Sequence, residues 1–246
     1  TDRIYRVIEL QGAELLAADL RLSSSQPFMP ALKQTAQDRG LQTAELVTFP
    51  SVVLHGDETA LTAIKASSSG YPLRGNLRIA DTPYGQDRPT QRLPDPGTIW
   101  LEPRLLTQFG ISVGDTLNVG AASFRIEGVL TYEPDRGGMF AQLAPRILLN
   151  KADLDATGLI GPGSRVKYRL LVAGPAAEIE RYRDWVAPRL NSEQSLETLA
   201  DARPELRMAI ERADMFLSLA ALVAVVLAGA AVAVAAQHFS HKQADV

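Results

Sequence analysis

The stretch Ala44–Ser67, AELVTFPSVVLHGDETALTAIKAS, reads as two β-strands folded back on each other. β-Branched and aromatic residues recur on both sides of Gly56-Asp57-Glu58, and that tripeptide supplies the turn of a hairpin. The strands are expected over about 44–55 and 59–67. A two-stranded hairpin is not stable alone and needs neighbours to bury it. The flanking sequence supplies them. Upstream, 18–25 (ADLRLSSS) alternates like a strand, and 30–39 reads as a short helix with Pro30 at its start and Gly40 just past its end. Downstream, 165–173 reads as a strand, 175–186 as a helix and 194–199 as a further strand. Residues 1–18 read as a helix, with Ile4, Ile8, Gln11 and Leu15 on one stripe.

Between these outer pieces the character changes. Residues 70–97 are rich in Gly, Pro, Asn, Asp and Gln and read as an extended connector into a second subdomain. A short strand (98–101), a short helix (103–109), a turn at Gly114-Asp115, a strand pair (116–119 and 123–131), a loop at 134–138 and a strand at 146–150 follow. The order is β-α-β-β, an inserted strand-rich unit, then β-α-β. The expected fold class is therefore α+β: a split β-α-β-β…β-α-β lobe, its two helices on one face of an antiparallel sheet, interrupted by a strand-rich lobe.

The chain closes on Met215–Ala236, MFLSLAALVAVVLAGAAVAVAA, which carries no charge. As a helix it would span roughly 33 Å, enough for a hydrocarbon core of roughly 30 Å. The expectation is a transmembrane helix fed by a helix opening at Pro204. Ala220, Ala224 and Ala228 are spaced four apart, as are Gly229 and Ala233. Small residues at that spacing let helices approach closely in lipid, so these positions are expected to pack against another transmembrane helix.

Composition excludes more than it assigns. A net charge of −3 gives no reason to expect nucleic acid. The absence of cysteine removes disulfides, thiol catalysis and thiolate metal sites. Three histidines leave little for a metal centre. The serine triplets 23–25 and 67–69, with His55 and Asp57 on the hairpin, lack a G-x-S-x-G elbow, and no phosphate-binding G-x-x-x-x-G-K-[ST] occurs. Asp57-Glu58 and Asp153/Asp155 read as turn and cap carboxylates rather than cation ligands. No enzyme activity and no cofactor are expected. Thr1 is not an initiator, and no signal sequence opens the chain, so a piece of a longer protein is expected.

The stretch Phe109–Leu130, FGISVGDTLNVGAASFRIEGVL, resembles a recurring pattern of the MacB/FtsX-type ABC transporter permeases. Gly110, Gly114 and Asp115 match the family's Gly-Asp turn, and Ile126, Gly128 and Val129 match its second strand. GYPLRG at Gly70–Gly75 is similar to the family's join between extramembrane lobes. Gly12–Ser25 (GAELLAADLRLSSS) and Phe239–Val246 resemble the YbbP-like branch in particular.

The resemblance implies the first extracytoplasmic domain and second transmembrane helix of a permease. Residues 1–18 would end the stalk helix of a preceding span. Residues 19–75 and 163–200 would form a porter-like lobe, with 76–162 inserted. Residues 201–214 would be a second stalk helix, 215–236 the span, and 237–246 the start of a cytoplasmic segment. It further implies a permease subunit that couples cytoplasmic ATP hydrolysis to periplasmic motion by mechanotransmission. A separate ABC ATPase subunit would bind the ATP, other transmembrane helices of the permease would surround the span, and a periplasmic esterase would neighbour the system. Lipophilic or membrane-derived compounds are the implied cargo. The implied location is the bacterial inner membrane, with residues 1–214 periplasmic. Charge counting points the other way: Arg203, Arg207 and Arg212 precede the span and only Lys242 follows it. The alternative is a tail-anchored periplasmic binding or scaffold domain with no ATPase.

Overall fold

In the computed structural model, which describes residues 16–136, 143–161 and 163–198, the long hairpin lies at the centre of the sheet. In chain order the elements are β1 (Leu20–Ser24), α1 (Pro30–Asp38), β2 (Gln42–His55), β3 (Glu58–Ser67), β4 (Leu77–Ala80), β5 (Arg88–Thr90), β6 (Thr98–Leu101), α2 (Pro103–Phe109), β7 (Thr116–Val119), β8 (Ala122–Tyr132), β9 (Arg146–Asn150), β10 (Lys167–Ala173), α3 (Ala176–Val186) and β11 (Gln194–Thr198). The fold is a mixed, sheet-rich α+β arrangement. His55 pairs with Glu58, so the hairpin turn is the two residues Gly56-Asp57, one shorter than expected. Its positive φ of 59° falls on Gly56, the residue that adopts it without steric cost.

The strands run in the order β11-β1-β10-β2-β3-β9-β6-β8-β4-β5, with β7 paired to β8. From β11 to β3 every pairing is antiparallel. β3 then meets β9 in parallel, and this joins the outer strands to those between residues 77 and 150. Leu20 and Leu22 of β1, with Leu170 and Val172 of β10, bury against Leu32 and Ala36 of α1 and Tyr182 and Val186 of α3. Both helices therefore cover one face, as alternation along the strands requires. The Tyr182 hydroxyl donates to the Leu32 carbonyl at 3.0 Å and ties the two helices together.

The largest core lies around the other strands. Phe49, Val53, Ala60 and Ile64 of the hairpin pack with Ile99, Leu105, Phe109, Phe124, Ile126 and Ile147. The hairpin thus joins the two regions of the sheet, β2 pairing with β10 and β3 with β9. Its outer half projects beyond β10, whose pairing with β2 ends at Thr48. Val52, Leu54 and Leu61 are exposed there, and Val52 lies opposite Leu61. Pro50 stands in the same stretch, opposite Ala63, whose N–H turns away to the Pro145 carbonyl.

Residues 70–97 are not a plain connector, because they contain β4 and β5. Their shortness obscured them: β4 buries Leu77 and Ala80 completely, and paired side chains tie it to the exposed β5. Arg78 grips Asp87 through two hydrogen bonds, of 2.9 and 2.6 Å, and Arg88 grips Asp81 through two of 2.9 Å.

The β7–β8 turn presses Gly120 (φ 63°) against the 3₁₀ turn at Asp155–Thr157; a Cβ there would lie 2.1 Å from the Thr157 carbonyl oxygen. Ala121 N–H donates to that same carbonyl at 2.8 Å. Gly120→Ala is therefore expected to cost about 2–4 kcal/mol, from left-handed strain and a backbone shift together. Urea denaturation measures it, and a loss under about 0.5 kcal/mol would mean the contact yields freely.

Among the described residues no helix is long and apolar enough to cross a membrane. The expected span 215–236, with Ala220, Ala224, Ala228, Gly229 and Ala233, lies outside the described residues, as do the stretches 1–15 and 199–214.

A buried ionic node as candidate functional site

Lys65 lies on β3 at 0% exposure. Its strand is flanked by β2 and β9, and residues 62–67 are all buried. Ile64 and Ala66 face the large core, so Lys65 faces the opposite side, where the helices α1 and α3 are absent. There it meets Glu133 and Asp135, from the turn that follows β8, both buried. Lys65 Nζ lies 2.5 Å from Asp135 Oδ1 and pairs closely with Glu133 Oε1. The Tyr71 hydroxyl bonds to the Asp135 carboxylate and lies 3.3 Å from Glu133 Oε1. Arg146 of β9 brings Nε to 3.2 Å from Glu133 Oε2, and Arg169 of β10 brings Nη1 to 3.8 Å from Asp135 Oδ2.

Five chain segments therefore meet through charge and the Tyr71 hydroxyl. They come from both regions of the sheet: β3, the segment after it, the turn after β8, β9 and β10. Burial penalises the Lys65 ammonium and, with Arg146 and Arg169 nearby, pulls its pKa down to about 7 against the opposing attraction of Asp135. Burial alone would raise Asp135. The charges of Lys65 and Arg169, with hydrogen bonds from Lys65 and Tyr71, outweigh it and hold the carboxyl well below the usual range. Burial pushes the Tyr71 phenol up, and the Asp135 charge pushes it further. The satisfaction is incomplete: Glu133 Oε2, Asp135 Oδ2 and Arg146 Nε are buried without a hydrogen bond.

Such a cluster is weak evidence for stability, because desolvation offsets much of the attraction. Its effect is positional. Removal of one partner would leave the buried charges of its neighbours uncompensated, so the node penalises any arrangement of these strands that separates them.

The Gly70–Gly75 segment ties the node to the start of β1. Tyr71 reaches into the node, while three residues on Arg74 grips the Asp19 carboxylate through Nε at 2.9 Å and Nη2 at 2.5 Å. Asp19 also accepts the Gly174 N–H at 2.9 Å. The N–H groups of Leu73 and Arg74 donate to the Ala17 carbonyl at 3.0 and 3.1 Å. Two stretches read separately in the sequence, ADLRLSSS and GYPLRG, are thus joined by an ion pair.

The other residues singled out from sequence have structural surroundings. Gly110 closes α2 in the left-handed region, and Gly114 (φ 102°) donates its N–H to the Ile126 carbonyl at 2.8 Å. Asp115 accepts the Ser112 N–H at 2.8 Å, closing that turn. Gly128 lies opposite Trp100 where β6 and β8 shift register, and Glu127 accepts the Trp100 indole N–H at 3.1 Å. His55 has its ring against Phe109, with centroids 5.9 Å apart. Asp153 accepts the Gly97 N–H at 2.9 Å. Among the described residues no group of acidic or histidine side chains could hold a metal. Sequence reasoning missed Lys65, Glu133, Asp135, Arg146 and Arg169. Its one signal was Tyr71, noticed as part of a join rather than for its chemistry.

The fold is similar to that of the periplasmic region of an ABC-type transporter. The periplasmic region of MacB from Actinobacillus actinomycetemcomitans superposes with a TM-score of 0.53 at 9% identity, covering 82% of this chain and 97% of that one. The extracellular domain of the ABC-type transporter YknZ from Gram-positive bacteria gives 0.49 at 11% identity, covering 73% of this chain and all of that one. The particular relative is the uncharacterized ABC transporter permease YbbP of Escherichia coli (strain K12), 36% identical over all 246 residues. The chain spans 30% of that relative's length. No family model matches the chain. The resemblance read from the motifs is borne out: the chain is similar throughout to an ABC transporter permease and has a MacB-like extracytoplasmic fold.

Proposed function

We propose that this chain is the extracytoplasmic domain and following membrane span of a permease that transmits motion driven by a cytoplasmic ABC ATPase. The observation that carries this reading is the tie from Asp19 through Arg74 and Tyr71 into the node. It gives a stiff route from the chain entering β1 to strands of both sheet regions. In this reading 19–75 and 163–200 make one lobe and 76–162 the other, with the β2–β3 hairpin shared. Residues 1–18 and 201–214 act as stalks, and 215–236 crosses the inner membrane with residues 1–214 periplasmic. Ala220, Ala224, Ala228, Gly229 and Ala233 face another helix of the permease. The Gly110–Gly114–Asp115 turn and Gly128 shape the inserted lobe rather than bind a ligand. A neighbouring esterase and lipophilic or membrane-derived cargo belong to the same reading.

The experiment inserts two glycines at Ala213 in the full-length permease assembled with its ATPase. Loss of transport-coupled ATPase activity, with assembly and domain folding retained, is the expected result. Full activity in that variant would remove rigid transmission and leave a tethered scaffold domain.

A further inference from the structure

A second polar feature adjoins the node and shares one residue, Arg169, with it. On the helix-free face, at the end of β1 near Ser24, a groove of about 500 Å³ opens between β1, β10 and β11. Register places Ser195, Ser23 and Arg169 side by side across the three strands. Arg165 and Lys167 continue the row at alternate positions toward and past the start of β10. Both are exposed and line the groove, and neither has an ion-pair partner among the described residues. The two carboxylates on the wall are engaged: Glu197 with Arg21 and the Ser23 hydroxyl, Glu193 with the Ser25 hydroxyl at 3.3 Å. Cationic donors beside hydroxyl donors are the chemistry that recognises a tetrahedral oxyanion.

We propose that this groove binds a phosphate or phosphoester group, held by Arg165, Lys167 and the Ser195 hydroxyl, and that Arg169 links its occupancy to the node. Arg169 is the shared element. It lines the groove, yet its guanidinium lies 3.8 Å from Asp135 Oδ2, an oxygen that has no hydrogen bond. A contact that long is easily exchanged for a charge-assisted bond to a bound anion. Occupancy would draw Arg169 outward and leave Asp135 to Lys65 and Tyr71. The inference does not require the permease reading, because it rests on this groove alone.

The test titrates the full chain in detergent solution with inorganic phosphate at ionic strength held constant with chloride. A saturable rise in Tm of roughly 5 °C is expected at phosphate a hundredfold above its Kd. The Arg165→Gln/Lys167→Gln variant should melt like the parent in chloride and lose the response. The ¹⁵N resonance of the Lys65 ammonium should move with phosphate in the parent and stay fixed in Arg169→Gln. Glycerophosphoglycerol serves as the second probe: tighter binding than phosphate assigns a lipid headgroup, and weaker binding assigns a free phosphate. No phosphate-specific response, or a full response in the double variant, overturns the site. A phosphate response with an unmoved Lys65 resonance in the parent overturns the link through Arg169.

Discussion

Asp135→Ala lowers the stability of the domain by about 3–5 kcal/mol, because it leaves buried cations without their shared counterion. Lys65 has no exposed surface, and Arg169 is nearly as enclosed, so water cannot replace the lost carboxylate cheaply. The corresponding fall in Tm is on the order of 10 °C for a domain of this size. Lys65→Met should cost less than the aspartate variant, since it removes the charge whose burial is most unfavourable. The double variant Lys65→Met/Asp135→Leu should recover part of the loss, giving a coupling energy of about 1 kcal/mol or more. Chemical denaturation of the four proteins measures all of this. A loss below about 1 kcal/mol in Asp135→Ala would mean that the node admits water and fixes nothing.

The second large effect is on the pH dependence of stability. With its pKa pulled to about 7, Lys65 is neutral in the folded chain across a range where the unfolded chain keeps it charged. The unfolded state therefore binds more protons between about pH 7 and 10, and stability rises with pH there. The slope contributed by one such group is at most about 1.4 kcal/mol per pH unit. Tyr71 acts in the opposite sense. Its phenol is held protonated well above the ordinary value, so its contribution is present below pH 10 and is lost as the pH rises through the folded pKa. Asp135, held low, contributes stability above about pH 4 that is lost as the pH falls through its folded pKa. Urea midpoints at pH 7, 8 and 9 should climb in the parent and stay level in Lys65→Met. An equal climb in both proteins would assign the titration to another group.

Most strands announced themselves through alternation bounded by Gly and Pro, and so did the three helices through their Pro starts and apolar spacing. β4 and β5 did not, because LRIA and RPT are too short to show a period and stand among Gly, Pro, Asn and Asp residues that read as loop. The node was hidden for a different reason. In TALTAIKAS, Lys65 occupies a position that alternation assigns to solvent, and it is wrong only because β9 and the turn after β8 cover it. Glu133 and Asp135 flank Pro134, where carboxylates are ordinary turn residues. Local pattern reports which face a side chain takes, not what arrives from tens of residues away to cover that face. Asp19 and Arg74 carry the same lesson. Each stood in a recognisable stretch, and only the fold made them partners.

Pro50 bears on how this protein behaves in a crowded compartment. Beyond Thr48 no described strand pairs with the outer edge of β2, and Val52 and Leu54 there are apolar and open to solvent. That is the geometry from which sheets recruit foreign strands and begin to aggregate. The Pro50 nitrogen falls on this open side and has no hydrogen to offer, so an incoming backbone finds the ladder broken near its first rung. The arm can keep a greasy outer surface for side-chain contacts while refusing continuation of the sheet. Self-association through that edge is discouraged by one residue, at little cost to the hairpin, because the missing donor lies on the side where no strand needs it.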